Sequence, residues 1–147
     1  MKICLLICGL KRCYEEVKLS LHENIINVLL NDGHEIDSFV HSDQDIQDIY
    51  NLKGIIISNS DNPIKKNLDI TIPYQICRFN ECYYNLVLPF MNENNITYEF
   101  FIVTRPDNFY FKNCLMKKIN EWDINKINIR MRFYPKKMNL EYHTGYL

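Results

Sequence analysis

YEFFIVTRPD, residues 98–107, is the stretch on which the reading of the fold turns. Phe100 to Val103 is an apolar run with the length of a buried strand. Pro106 has no backbone N–H and cannot extend a central strand, so the chain must leave the sheet there. Arg105 and Asp107 therefore stand together at the carboxyl end of a strand. In open α/β sheets that edge is where ligands bind. A guanidinium offers a planar fork to phosphate, and a carboxylate can hold a divalent metal that bridges phosphates. The pair points to a nucleotide-diphosphate ligand. The alternative reading of the same residues is a surface turn closed by a local ion pair.

Working outward, strands and helices alternate. Ile3 to Cys8 is apolar on both faces, as a central parallel strand is, and Gly9 to Cys13 forms the turn after it. A helix is expected from about Tyr14 to Asn31, with Glu15 and Glu16 favourable to its dipole and Val17, Leu21, Ile25, Val28 and Leu29 as its apolar stripe. Gly33 is its expected stop. Ile36 to His41 reads as a second strand, Asp45 to Leu52 as a short helix, and Gly54 to Ser58 as a third strand. Residues 59–72 read as a polar, flexible loop. A long helix from about Pro73 to Asn92 follows, with Ile76, Phe79, Tyr83, Leu86, Val87 and Phe90 buried and Pro89 ending or kinking it. After the strand at Tyr98 to Thr104, Asn113 to Trp122 reads as helix, Ile127 to Tyr134 as strand, and residues 135–147 as a polar tail. The fold class is α/β: a single domain over residues 1–147, with a three-layer, Rossmann-like core and a mostly parallel sheet.

Composition narrows the function classes. A chain of 147 residues can bury a real core. Net charge is −1 with both signs dispersed, which argues against a nucleic-acid binder. No apolar stretch is long enough to span a membrane. The opening MKICLLICGLKR has a short apolar run and no small-residue cleavage pattern, so it reads as a strand and not a signal peptide. The 6 cysteines form no CxxC pair and read as reduced, mostly buried residues of a cytoplasmic protein.

Other residues converge on the same sheet edge. Gly9 permits a tight turn and close ligand approach at the end of the first strand, and Arg12 is within reach of a phosphate. The alternative there is a turn glycine beside solvated cations. His41, near the end of the second strand, stands either against a base or sugar or half exposed with no role. Gln75 and Arg78 form an i, i+3 pair near the start of the long helix, with Glu81 beyond them; they line the cleft or form an ordinary polar face. His22, His34 and His143 have no partner at useful spacing, and no nucleophile elbow or HExxH helix is present.

Three blocks, KICLLICGLKR, IDSFVHSD and YQICRFNECYYNLVLPFMNENNITYEFFIVTRPDNFYF, together resemble the nucleotide-diphospho-sugar glycosyltransferases of the GT-A type, in particular small viral and bacterial members. The Arg-Pro-Asp block after its long helix is the most specific of the three. The resemblance implies a nucleotide-sugar site at the strand ends, with Gly9, Arg12, His41, Gln75, Arg78 and Arg105 as binding residues. It implies Asp107 as the catalytic, metal-bearing carboxylate of the Asp-x-Asp motif, with manganese or magnesium as cofactor. Arg105 stands where the first carboxylate of that motif would be. Family members continue into an acceptor-binding half where this chain reaches Leu147. The expected function is transfer of a sugar from a nucleotide donor to a hydroxyl of a glycan, protein or lipid. The alternative is a non-catalytic nucleotide-sugar-binding module that works as a homo- or hetero-oligomer subunit.

Overall fold

Four parallel strands carry the molecule, and their order explains where a ligand would sit. The computed structural model describes residues 1–58, 74–112, 132–136 and 139–143. It divides into two compact units, Met1–Leu115 and Met116–Leu147. In the first, β1 (Lys2–Gly9), β2 (Glu35–Ser42), β3 (Leu52–Ile57) and β4 (Phe100–Thr104) form one sheet in the order β3-β2-β1-β4, every neighbouring pair parallel. This is an α/β fold. The chain crosses the sheet from β1 to β3 in one direction and then returns to place β4 on the far side of β1. The order reverses between β1 and β4, and the crevice outside their carboxyl ends is the place where such sheets bind ligands.

β1 is central, and Ile3 to Cys8 are fully buried on both faces. Cys4, Leu6 and Cys8 pack with Phe39 of β2 against Cys82, Val87 and the flanking Phe79, Leu86 and Phe90. These last residues belong to one continuous helical stretch: α3 (Tyr74–Cys82), a π-helical turn over Tyr83–Val87, and α4 (Leu88–Asn94). Of the expected stripe, Val87 is buried and Phe79, Tyr83, Leu86 and Phe90 pack half-buried against this core. Pro89 does not end this helix. A proline cannot donate to the preceding turn, and the widened turn directly before it relaxes the clash. The helix stops instead at Asn95, in the left-handed conformation, where the Ile96 N–H closes back on the Met91 carbonyl.

The first helix also carries a π-helical turn. α1 (Tyr14–Leu21) leads through His22–Ile26 into α2 (Asn27–Asn31). The extra residue per turn brings Ile25 and Ile26 both into the core beside Leu21 and Leu29, while Val17 and Val28 are only half-buried. Gly33, at φ +81°, is the stop expected of it: its N–H bonds the Leu30 carbonyl and that of His34 bonds Leu29.

Two expectations need correction. Asp45 to Leu52 forms no helix. Ile46 and Ile49 are buried at helix-like spacing, but Asn51 turns the chain at φ +46° and its amide bonds Ile36 and Asp37 on β2. Tertiary hydrogen bonds outweigh the weak local preference of so short a segment. The last expected strand, described from Arg132 on, pairs antiparallel with a strand formed by part of the expected polar tail. Within the second unit, β5 (Arg132–Lys136) pairs antiparallel with β6 (Asn139–His143), from Arg132 opposite His143 to Lys136 opposite Asn139. The expected loop at residues 59–72, Pro73 and the expected helix from Asn113 to Trp122 lie outside the described residues. No helix among the described residues is long and apolar enough to cross a membrane. Of the described cysteines, Cys4, Cys8 and Cys82 are buried, and Cys13 is exposed.

Candidate functional site

Because all four strands run the same way, their ends deliver one turn each to the same edge. β1 delivers Gly9 to Arg12. Gly9 has φ +153°, and a Cβ there would lie 3.1 Å from Cδ of Pro106. The close approach that glycine permits is thus taken by the protein's own Arg-Pro-Asp turn, which seats the ends of β1 and β4 against each other. Lys11 anchors this turn to the end of β2: its N–H donates to Asp43 Oδ1 at 2.7 Å and its Nζ to the Asp45 carbonyl at 3.0 Å. Arg12 follows at φ +36°, its side chain largely solvent-exposed.

β4 delivers the turn that opened the sequence reading. Arg105 embraces Asp107 as a fork, Nε to Oδ1 and Nη2 to Oδ2, each at 2.7 Å. Arg12 Nη1 stands 3.4 Å from the same Oδ2. The local ion pair is real, and it is built into the wall of a cleft. Burial alone would push the Asp107 carboxyl upward, but the Arg105 hydrogen bonds and the charges of Arg105 and Arg12 outweigh it, so its pKa lies below the ordinary carboxylate value.

The helix start supplies the third wall. Gln75 donates its amide to the Cys8 carbonyl, at the last turn of β1. Arg78, three residues on, is buried, and its Nη2 donates to the Ser58 carbonyl at 3.2 Å, just past β3. Gly9, Leu10, Arg12, Gln75, Arg78 and Arg105 together line a cavity of about 190 Å³. Arg12, Arg78 and Arg105 bring three guanidinium groups to this lining, which suits an anion.

His41 is placed differently from the expectation that it meets a ligand or solvent. It is fully buried. Nδ1 lies 2.9 Å from the Arg78 carbonyl and Nε2 lies 2.7 Å from Ser58 Oγ, with Glu81 Oε2 at 3.5 Å. A carbonyl only accepts, so Nδ1 carries the proton and Nε2 accepts a hydrogen bond from the Ser58 hydroxyl in the neutral ring. Burial lowers the His41 pKa, and the nearby Arg78 charge acts the same way, against the hydrogen bond to the Arg78 carbonyl and the Glu81 charge. The imidazole thus ties α3 to the end of β3 behind Arg78.

Five residues named from the sequence, Gly9, Arg12, Gln75, Arg78 and Arg105, line the one cavity, and Asp107 braces two of them. Leu10 and Ser58 were not named. Ser58 was findable, as the first polar residue after the GIII run and so at the same edge. Among the described residues, the surroundings of Asp107 do not suit manganese or magnesium. Both Asp107 oxygens face guanidinium N–H groups, and no group of three or more His, Cys, Asp or Glu among the described residues could hold a metal ion. Comparison of the chain with protein-family models, with curated proteins and with solved structures gives no match.

Proposed function

We propose that this chain binds a nucleotide-diphosphate sugar at the cavity between β1 and β4, as the donor-binding part of a GT-A type glycosyltransferase with a three-layer, Rossmann-like core. The observation that carries the reading is the convergence of Arg12, Arg78 and Arg105, from three separate segments, on one cavity where the strand order reverses. A cavity of about 190 Å³ falls short of the ~300–1,000 Å³ of whole-ligand pockets. It matches the diphosphate, with nucleoside and sugar lying along the sheet edge on either side. In transfer to a hydroxyl, negative charge grows on the departing diphosphate, and fixed guanidinium groups are suited to stabilise it.

Isothermal titration with UDP-glucose and GDP-mannose tests this. Binding is expected for at least one, weakened about tenfold in Arg12→Ala, the loss of one charge-assisted hydrogen bond. Absence of binding to both, or equal binding by the variant, defeats the site.

A second reading, binding without turnover, has its own support. Among the described residues the cavity lining holds no carboxylate or imidazole, Asp107 lies in the Arg105 fork, and His41 is buried with both ring nitrogens engaged. Transfer to a hydroxyl calls for a general base. Phe101 on the sheet-edge strand β4, and Phe109 and Phe111 after it, are exposed, as a subunit-contact surface would be. UDP or GDP release from bound sugar nucleotide would exclude this reading; light scattering that finds only monomer would remove its oligomer form.

A further inference from the structure

The turn that resembles a metal-binding motif has an arrangement that a metal would disrupt. Asp107 has a side chain only 9% exposed, gripped in a bidentate fork by Arg105 and approached by Arg12. A divalent cation on either oxygen would share it with a guanidinium N–H at 2.7 Å and sit among positive charges. A diphosphate meets the opposite situation, because the same guanidiniums are already oriented toward an anion.

The two arginines are held unequally. Arg105 makes two short, parallel bonds in the geometry that fixes a guanidinium most firmly. Arg12 makes one contact of 3.4 Å from a side chain 60% exposed, a pairing that contributes little. Arg12 also lines the cavity, so a ligand anion entering it meets a cation that loses almost nothing by changing partners.

We propose that this is a metal-independent diphosphate clamp, in which Asp107 is the counter-ion that fixes Arg105 and parks Arg12 until Arg12 passes to a ligand phosphate. The inference rests on the nucleotide-diphosphate reading of the same cavity and adds what neutralises the ligand. It gives Asp107 a role opposite to that of a metal ligand. As a metal ligand its loss would abolish binding. As an internal counter-ion it repels the incoming phosphates, and its neutralisation leaves binding as tight or tighter.

Calorimetric titration with inorganic pyrophosphate, first in excess EDTA and then with manganese in its place, is the deciding experiment, with inorganic phosphate and UDP as further arms. The clamp predicts pyrophosphate binding in EDTA that manganese does not strengthen, weaker binding of phosphate than of pyrophosphate or UDP, and roughly tenfold weaker pyrophosphate binding by Arg12→Ala, about 1.4 kcal/mol. Asp107→Asn is expected to bind pyrophosphate at least as tightly as the native chain in EDTA. A requirement for manganese, or abolition of binding in an Asp107→Asn protein whose circular dichroism is native, overturns the clamp and leaves the nucleotide-diphosphate site standing. Binding of neither pyrophosphate nor UDP in either medium removes the site itself. Should Asp107→Asn fail to fold, the EDTA and manganese titrations of the native chain decide alone.

Discussion

The two ends of the β-sheet each hold a carboxylate between two cations, and they use it differently. At the amino end, Asp37 of β2 lies between Lys2 at 3.4 Å and Lys53 at 3.6 Å, with the Tyr98 hydroxyl and the Asn51 amide each donating to it at 2.8 Å. At the carboxyl end, Asp107 lies between Arg105 and Arg12. Neutral donors complete the shell of Asp37, and its hydroxyl partner Tyr98 is itself in the aromatic core beside Phe39. The Asp107 shell is made of guanidiniums that also line a cavity. A carboxylate between cations is thus a structural joint where the surrounding donors are neutral and packed, and part of a ligand site where they are charged and face open space.

The largest expected effect breaks the structural end. Asp37→Ala strands the Tyr98 hydroxyl, removes one of the two acceptors of the Asn51 amide and removes the partner of two lysines. Stability is expected to fall by about 3 kcal/mol, the lower end for breaking a buried charge network, while the pyrophosphate affinity of the folded fraction stays unchanged. Urea unfolding and titration measure the two; a loss of affinity as large as the loss of stability would merge the two ends. Next comes Gly9→Ala. The added Cβ meets Pro106 Cδ at 3.1 Å on a backbone at φ +153°, so a cost of roughly 1–2 kcal/mol is expected, together with weaker anion binding as the β1 and β4 turns part. Arg12→Ala reverses the pattern. A cation on an exposed, 3.4 Å ion pair is expected to change stability by less than about 0.5 kcal/mol while binding weakens about tenfold.

How much of this was readable from residues follows from what each residue type dictates. β1 and β2 were legible because a strand buried on both faces is apolar at every position, and Ile3 to Cys8 has no other use. The site was legible because a parallel sheet gathers its carboxyl ends, so Gly9, Arg12 and Arg105 had to share an edge once their strands were assigned. Side-chain direction was harder. His41 stands two residues from Phe39, on the face that α3 covers, and that period of two foretells burial; its place near a strand end suggested exposure instead. The two π-helical turns leave no period that a pattern of 3.6 reveals, and Asp45 to Leu52 carries helix-like spacing that the Asn51 contacts override.

The smallest effect separates the ends by pH. His41 is held neutral by burial, so its folded pKa lies below the ordinary value of 6.5. The unfolded chain therefore binds a proton first as pH falls, and stability is full above about 6.5 and declines below it, levelling off under the folded pKa. One group sets a slope of at most about 1.4 kcal/mol per pH unit. Asp107, Asp48 and Glu15 have folded pKa values lowered from 3.8, 3.8 and 4.5, so the stability they contribute is present above those values and is lost as pH falls through their folded ones. The interval from 6.5 down to about 5 thus isolates His41 among the groups with resolved shifts. His41→Gln keeps an amide donor and an acceptor in reach of the Arg78 carbonyl and Ser58 but does not titrate. Urea midpoints measured across that interval are expected to fall for the native chain and to flatten in the variant. An equal slope in both would place the proton uptake elsewhere and leave His41 as packing alone. Because the ring holds α3 to β3 directly behind Arg78, the same interval is expected to weaken pyrophosphate binding in the native chain and less so in His41→Gln. Asp37→Asn retains His41 and is expected to keep the native acid slope, because the joint at the other end contains no imidazole.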